Sequence, residues 1–188
     1  ERYGSIQNYS KIKKKIFVSS NKNQTAIIGV DDRFANKIYC EIKKNKRKVI
    51  PISVNKYLKK GIYFNHDTLI DNYFKSKNLN LANYKINFVL ENNKMNILAS
   101  YAALKAMNLK KDFFIKTLKK FKPLKHRSQI IHKSNNLIVI NDSKATNLAS
   151  TVHSIKSLNN IHLILGGKIK TKNYSRLIKL KSHIRKIY

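Results

Sequence analysis

The chain has 188 residues, which is enough for one ordinary domain or two small ones. Hydrophobic residues make up 42% of the sequence, which suffices for a buried core and excludes wholesale disorder. No apolar run reaches the roughly 18 residues that span a bilayer, so we expect no membrane association. The single cysteine, Cys40, cannot form an internal disulfide, and this fits a reducing compartment.

The chain is strongly basic, with 40 Lys and Arg residues against 9 Asp and Glu and a formal net charge of +31. Such a charge is typical of nucleic-acid binding, because basic side chains neutralise phosphates and release counterions. Few of these residues are arginine, however, and lysine, asparagine and isoleucine are abundant throughout, as AT-rich coding produces. We therefore expect no nucleic-acid partner, and a basic nucleic-acid-binding α/β domain is the alternative from a different functional class.

The first part of the chain alternates helices and strands. Apolar residues at helical spacing predict helices over 5–17 and 34–42. Apolar runs predict strands over 26–30 and 49–54, the second at an edge or irregular position because Pro51 lacks a backbone N–H. This strand–helix–strand order predicts a parallel α/β unit.

The pattern changes in the middle of the chain. β-like segments occur around 62–64 and 84–90, and apolar periodicity then predicts helices over 92–107 and 112–121. Pro123, which lies among basic residues, marks the expected domain boundary.

A second α/β unit is predicted beyond this boundary. Two apolar stretches around a polar turn predict a hairpin over 128–141, and a helix follows over 148–158. A buried strand is predicted over 161–165, and a last helix is predicted to carry Leu177, Leu180, Ile184 and Ile187.

Lys13 is the first residue that suggests chemistry. On a helical wheel it lies within the apolar arc, between Tyr9 and Phe17. A core-facing lysine is costly to desolvate unless it is paired, deprotonated or chemically modified. The alternative is a lysine stem at the edge of the arc with its amine in water.

Residues 141–147 connect a predicted strand to a predicted helix, which is where α/β sheets bind ligands. Lys144 adds a positive charge beside the free N–H groups of the helix start, which favour anions, and Asp142 can accept hydrogen bonds from sugar hydroxyls. The alternative is simple helix capping by Thr146 or Asn147.

Two shorter segments also suggest ligand sites. The pair Gly166-Gly167 ends a strand and lets backbone approach a ligand, with Lys170 available for a carboxylate. The pair His126-Arg127 lies at the expected domain boundary, where clefts commonly bind ligands, although such pairs are more often solvated surface. The histidines and Cys40 show no metal-ligand spacing, so no zinc site is predicted.

These segments form one pattern with others in the chain. The residues concerned are Asn141-Asp142-Ser143-Lys144-Ala145-Thr146-Asn147, Leu163-Ile164-Leu165-Gly166-Gly167 with Lys170, Leu124-Lys125-His126-Arg127, Asn92-Asn93-Lys94-Met95-Asn96, Tyr9 with Lys13, and Gly29-Val30-Asp31-Asp32. Together they resemble the Mur ligase family over essentially the whole chain. Three departures are Lys125, where the family motif has proline, Asn92, where it has histidine, and Lys168, where many relatives have aspartate.

The resemblance implies an α/β chain with two parts. Residues 1–124 would be the C-terminal half of a Mur-type central ATPase domain, and 125–188 the first half of a Rossmann-like C-terminal domain that binds the amino acid. It also implies that the phosphate-binding loop and the metal-binding His and Glu precede Glu1. The chain is therefore expected to be a fragment that is inactive by itself.

The resemblance further implies a role for each candidate residue. Lys13 would be carbamylated and help to hold Mg²⁺, and the set that acts in the reaction would be Lys13, Arg127 and Lys144. The residues that bind ATP would be Asn93 and Asn96 near the adenine, Arg127 near the phosphates and Asp142 at the ribose. The substrate-binding residues would be Lys144, Thr146 and Lys170, with Thr146 and Lys170 toward D-glutamate.

The implied activity is that of a cytoplasmic, monomeric carbon–nitrogen ligase of peptidoglycan precursor synthesis. With ATP and Mg²⁺ it would add D-glutamate to UDP-N-acetylmuramoyl-L-alanine through an acyl phosphate. The alternative within the same fold is another Mur-type ligase, such as a folylpolyglutamate or cyanophycin-like enzyme.

Overall fold

A computed structural model describes residues 4–19, 21, 23–84, 90–122, 124–156, 158–168 and 173–188. The chain divides into two compact units, Glu1–Phe121 and Lys122–Tyr188. Pro123 and most of the predicted β-like segment 84–90 lie outside the described residues, and Leu90 begins a helix instead. Among the helices described, none has both the length and the apolar character needed to cross a bilayer.

The first unit is built from helices on a five-stranded sheet. In chain order it contains α1 (Ile6–Val18), β1 (Ala26–Gly29), α2 (Arg33–Lys44), β2 (Val49–Ser53), β3 (Ile62–Asn65), β4 (Thr68–Asp71), β5 (Ser76–Asn80), α3 (Leu90–Ala106) and α4 (Lys111–Lys120). The described strands lie in the order β1 to β5, parallel from β1 to β3 and antiparallel from β3 to β5. The predicted α/β fold and its four helices are confirmed.

The sheet separates two apolar cores. Neighbouring strand residues point to opposite faces, so Val49 packs on one side and Ile50 on the other. Helix α2 covers the first face with Ile38 and Ile42, and α3 covers the second face, where Leu98 is fully buried. The result is a three-layer α/β/α arrangement in which the sheet is the middle layer, with β1 and β2 between α2 and α3.

The predicted edge position of Pro51 is wrong, because β2 lies between β1 and β3. The carbonyl of Ile52 accepts from Val30, so the neighbouring Pro51 directs its nitrogen toward β3. Pairing with β3 begins only at Ile52, so the missing N–H falls before this ladder. The Pro51 carbonyl also lies where a Cβ on Gly61 would be only 2.8 Å away, so this close approach requires glycine.

The antiparallel half of the sheet was not predicted beyond residues 62–64. Strands β4 and β5 contain Asp, Asn, Ser and Lys, and these polar residues hide the strand pattern. Their pairing instead depends on turn geometry: His66 adopts a φ of 51° in the β3–β4 turn, and Lys75 adopts 54° between β4 and β5. Asp71 accepts hydrogen bonds from the Tyr73 and Phe74 N–H groups, and this closes the second turn.

Helix α1 is confirmed, but its apolar arc does not form a core. No residue of this helix is buried, and Ile16 is 70% exposed. Phe17 alone of the predicted arc packs against the α2 core. The Arg47 guanidinium donates to the carbonyls of Phe17 and Val18 and so fastens the end of α1 to the unit.

The second unit contains β6 (Gln129–Lys133), β7 (Ile138–Asn141), α5 (Leu148–Ile155), β8 (Ile161–Leu163), α6 (Ser175–Ile178) and β9 (Ile184–Ile187). In the described part, β6 and β7 form the predicted hairpin, and β8 pairs in parallel with β9. The predicted hairpin and the helix of residue 148 onward are confirmed.

Two predictions for this unit are wrong. The last helix ends at Ile178, and Ile184–Ile187 is a strand, because its isoleucines pair with β8 rather than continue a helical stripe. The strand predicted over 161–165 ends at Leu163 and is only half-buried, with Ile164 82% exposed.

Candidate functional site

The predicted asparagine pair lies in the first turns of α3. The Asn96 amide donates to the Asn93 side-chain oxygen at 3.1 Å, and Asn96 is exposed while Asn93 is half-buried. Met95 faces Gly29, where an added Cβ would lie 3.0 Å from the methionine sulfur, so α3 sits close to the end of β1. Asparagine amides both donate and accept, which suits the edge of an adenine base. The Asn92 side chain lies outside the described residues.

Polar groups tie the carboxyl ends of β1 and β2 together. Asp31 accepts hydrogen bonds from the Ser53 hydroxyl and, at 2.8 Å, from the Val54 N–H. Lys56 donates to the Val30 carbonyl at 2.8 Å. This edge is where a parallel sheet binds ligands. The sequence did not predict Ser53 and Lys56 as site residues. The signal in the sequence was Asp31, an acidic residue directly after the predicted buried strand 26–30.

Lys13 is exposed, which contradicts the core-facing position and agrees with the alternative of a lysine stem with its amine in water. Its amine lies 5.4 Å from the centroid of the Tyr9 ring on the same helix. Helix α1 is held by Phe17, which lies one turn further along the helix, and by the ion pair of Lys14 with Glu41, and neither contact covers Lys13. The hydrogen bond from Lys14 holds the pKa of Glu41 below its usual range. Desolvation therefore gives no reason for carbamylation of Lys13 in this structure.

The second unit brings two predicted segments together through Asp142. Its carboxylate accepts the Ser128 N–H at 2.8 Å and the Ser154 hydroxyl. The Asp142 side chain therefore joins the turn before β6 to helix α5 across the end of β7. Each carboxylate oxygen has two lone pairs, so Asp142 can still accept a further hydrogen bond.

His126 forms the other link between these segments. Its carbonyl accepts the Lys144 N–H at 3.1 Å, and its ring lies 3.1 Å from the Asn141 amide. His126 adopts a φ of 65°, so the turn that carries Arg127 has a sharply defined backbone. The exposed side chains of Arg127 and Lys144 thus belong to two joined loops, and their positive charges can act on one anionic ligand.

The capping alternative for residues 141–147 is confirmed in part. Asn147, rather than Thr146, caps α5, and its side chain accepts the Ser150 N–H at 2.9 Å. Thr146 is exposed. Capping by Asn147 and ligand binding by its neighbours are compatible, because they use different side chains.

The remaining predicted residue, Lys170, lies outside the described residues. A cavity of about 270 Å³ lies between the first turn of α5 and the segment that leads into α6, with Leu148, Ala149, Asn173, Ser175 and Arg176 in its wall. Within the described ranges, no group of three or more His, Cys, Asp or Glu side chains could hold a metal ion.

The sequence profile of the Mur ligase middle domain matches residues 1–104. Because this match covers more than half of the chain, the chain belongs to the Mur ligase family.

Within this family, the chain is similar to curated proteins that share one name. The chain is 37% identical to the UDP-N-acetylmuramoylalanine–D-glutamate ligase of Rickettsia prowazekii (strain Madrid E), over 89% of this chain and 37% of that protein. It is 36% identical to the protein of the same name from Wolbachia sp. subsp. Brugia malayi (strain TRS), over 99% of this chain and 36% of that protein. The chain thus spans somewhat more than a third of the length of these relatives.

Solved structures support the fold. The crystal structure I of MurF from Acinetobacter baumannii matches with a TM-score of 0.66, covering 98% of this chain and 47% of that chain. A second crystal structure of the same protein matches with a TM-score of 0.64. Their sequence identities are 15% and 18%, so they support the Mur-type α/β fold and not a substrate.

Proposed function

We propose that the chain supplies part of an ATP-dependent amide ligase that adds D-glutamate to UDP-N-acetylmuramoyl-L-alanine. The observation that carries this proposal is the 37% identity to a ligase of that name over 89% of the chain. The structure adds support, since the two loops that carry Arg127, Asp142 and Lys144 are joined by hydrogen bonds.

The two compact units correspond, in this proposal, to parts of two family domains. The first unit contributes to the central nucleotide-binding domain, and the second contributes to the Rossmann-like domain that receives the amino acid. The parallel pair of β8 and β9, connected through α6, is the kind of unit from which Rossmann-like sheets are built.

The residues of the second unit act on the anionic reactants. Arg127 binds the nucleotide phosphates, and Lys144 binds the acyl phosphate that forms from the alanine carboxylate. Asp142 joins the turn before β6 to helix α5 and, through its remaining lone pairs, accepts a hydrogen bond from a ribose hydroxyl. Thr146 and Lys170 bind D-glutamate. Exposed positive side chains on joined loops support this assignment, because the charge that develops on the transferring phosphoryl oxygens is negative.

In this proposal, the residues of the first unit bind the adenine and the metal ion. Asn93 and Asn96 bind the adenine through their amides. Lys13 is the candidate Mg²⁺ ligand only as a carbamate, since an ammonium group does not bind a cation and a carbamate supplies two oxygens. Its exposure leaves the amine accessible to carbon dioxide. When bound, Mg²⁺ neutralises charge on the phosphate oxygens of ATP.

The reaction has two steps. The alanine carboxylate attacks the terminal phosphorus of ATP, which breaks the bond to ADP and forms an acyl phosphate. The amine of D-glutamate then attacks the acyl carbon, phosphate leaves, and an amide remains after the amine loses its proton. The residues bind and orient these groups and exclude water, which would otherwise hydrolyse the acyl phosphate. We place the enzyme in the cytoplasm as a monomer.

The choice of amino acid tests this proposal. The protein expressed from its complete coding sequence should release ADP with UDP-N-acetylmuramoyl-L-alanine when D-glutamate is present, and not with L-glutamate. Preference for another acceptor would instead favour a folylpolyglutamate or cyanophycin-like ligase. Salt-sensitive DNA retention, with no ligase activity and no effect of Lys144→Ala, would favour the nucleic-acid-binding alternative.

A further inference from the structure

Lys94 is a buried lysine that lies in the sequence between Asn93 and Asn96, the two candidate adenine-binding asparagines of α3. Its residue is 8% exposed, although lysine is rarely buried without partners. Its amine lies 3.3 Å from the His66 carbonyl and 3.5 Å from an Asp67 carboxylate oxygen. It also lies 5.6 Å from the centroid of the Phe64 ring. All three contacts come from the β3–β4 hairpin, so the lysine connects this hairpin to the first turns of α3.

The hairpin that Lys94 contacts has an unusual backbone. His66, which supplies the accepting carbonyl, has a φ of 51° in a region that non-glycine residues rarely adopt. Phe64, on the other hand, belongs to the main core of the unit and is 6% exposed. Lys94 therefore attaches α3 to a hairpin that is itself anchored in the core.

The lysine lies on a different side of α3 from the asparagines. With about 100° of rotation per residue, Asn93 and Asn96 are about 60° apart, and Lys94 is about 160° from Asn96. Lys94 is about 100° from Asn93, so it contacts the hairpin from a side of α3 that differs from the side of the exposed Asn96. On the side of β1, Met95 packs against Gly29 and supplies a second point of attachment.

We propose that Lys94 is a positioning residue for adenine binding. Because Lys94 binds the first turns of α3 to the β3–β4 hairpin, it determines the position of the Asn93 and Asn96 amides. This inference rests on the proposed function, in which those amides bind the adenine. If Lys94 is lost and these amides shift, binding of the adenine base weakens and binding of the phosphates is unchanged.

Two probes separate these effects in the protein expressed from its complete coding sequence. ADP reports adenine and phosphates together, and inorganic tripolyphosphate reports the phosphates alone, both by titration calorimetry. Lys94→Met keeps the length of the side chain and removes the charge. It should raise the Kd for ADP about tenfold, as loss of one well-placed interaction does, and change the Kd for tripolyphosphate less than about twofold.

The matched control is Lys105→Met, which is on the same helix and removes a similar lysine, with its amine 5.7 Å from the Phe74 ring centroid. It should leave ADP binding unchanged. Lys94→Arg, which keeps a charged donor, should bind ADP within about threefold of wild type. Should Lys94→Met fail to fold, Asp67→Ala removes the ionic partner alone and should raise the ADP Kd about threefold.

Three different outcomes would overturn the proposal. Normal ADP binding in Lys94→Met, with weakened binding in Asn96→Ala, would leave the adenine site in place and remove the role of Lys94. Normal ADP binding in Asn96→Ala would remove the adenine assignment itself. An equal loss of ADP and tripolyphosphate binding in Lys94→Met would show general destabilisation and would also contradict positioning.

Discussion

Replacing Asp142 should loosen the second unit even without any ligand. The Asp142→Ala change removes two hydrogen bonds to a carboxylate, from the Ser128 N–H and the Ser154 hydroxyl. Each such bond contributes about 1.5–3 kcal/mol, and half-buried groups lie at the low end because water replaces part of the interaction. We expect a loss of about 3 kcal/mol. Asp142→Asn keeps an acceptor for Ser128 and should lose about half as much.

Hydrogen exchange measured by mass spectrometry checks this expectation peptide by peptide. A loss of about 3 kcal/mol corresponds to roughly 100-fold faster exchange over α5 and the turn before β6. Asp32→Ala is the matched control, because Asp32 accepts two N–H groups at the start of α2 in the other unit. It should leave exchange in the second unit unchanged. Unaltered protection in ligand-free Asp142→Ala would refute a structural role and leave only ligand binding.

Three further predictions concern the first unit. Burial, and then the charge of Asp71, raise the pKa of Tyr101, so its contribution to stability is complete below the ordinary tyrosine pKa of about 10 and declines above it. The stability difference between wild type and Tyr101→Phe in urea unfolding should therefore shrink as the pH rises above about 10, and a constant difference would contradict this. Leu98→Ala, at a fully buried site, should cost about 3 kcal/mol in the same assay, and a loss below about 1 kcal/mol would mean that α3 is not packed as described. Because the bond from Lys14 lowers the pKa of Glu41, the ion pair contributes fully above the ordinary Glu pKa of about 4, and its contribution is lost as the pH falls further through the lowered pKa of the folded state. Glu41→Gln should therefore speed exchange in α1 modestly at neutral pH and progressively less below about pH 4, whereas a pH-independent effect would exclude the ion pair.

The sequence predicted the helices best, because long periodic segments carry a strong signal. Helices α3 and α4 fall within two residues of their predicted bounds. The prediction failed where tertiary pairing decides the structure. Ile184 and Ile187 are three residues apart, as on a helix, yet they belong to a strand beside β8. Pro51 was predicted at an edge or irregular position because it has no N–H donor, and the sequence does not show that its nitrogen is directed toward the part of β3 that precedes the pairing with β2.

The candidate site was predicted as separate segments, and the structure joins some of them. The Asp142 loop and the His126-Arg127 turn contact each other, which no spacing in the sequence indicates. The bonding of Asp31 to Ser53 and the burial of Lys94 were missed, since both depend on residues that are distant in the chain. The helical wheel left two positions open for Lys13, core-facing or at the edge of the apolar arc, because the wheel does not show which side of α1 packs on α2.

Oxygen transfer tests the proposed ligase reaction most directly. UDP-N-acetylmuramoyl-L-alanine labelled with heavy oxygen in the alanine carboxylate is incubated with ATP, D-glutamate and the protein expressed from its complete coding sequence. If the carboxylate is phosphorylated before the amide forms, one labelled oxygen per product molecule must appear in inorganic phosphate. Phosphate that carries no label, or amide formation without ADP, would contradict the acyl phosphate and with it the proposed ligase.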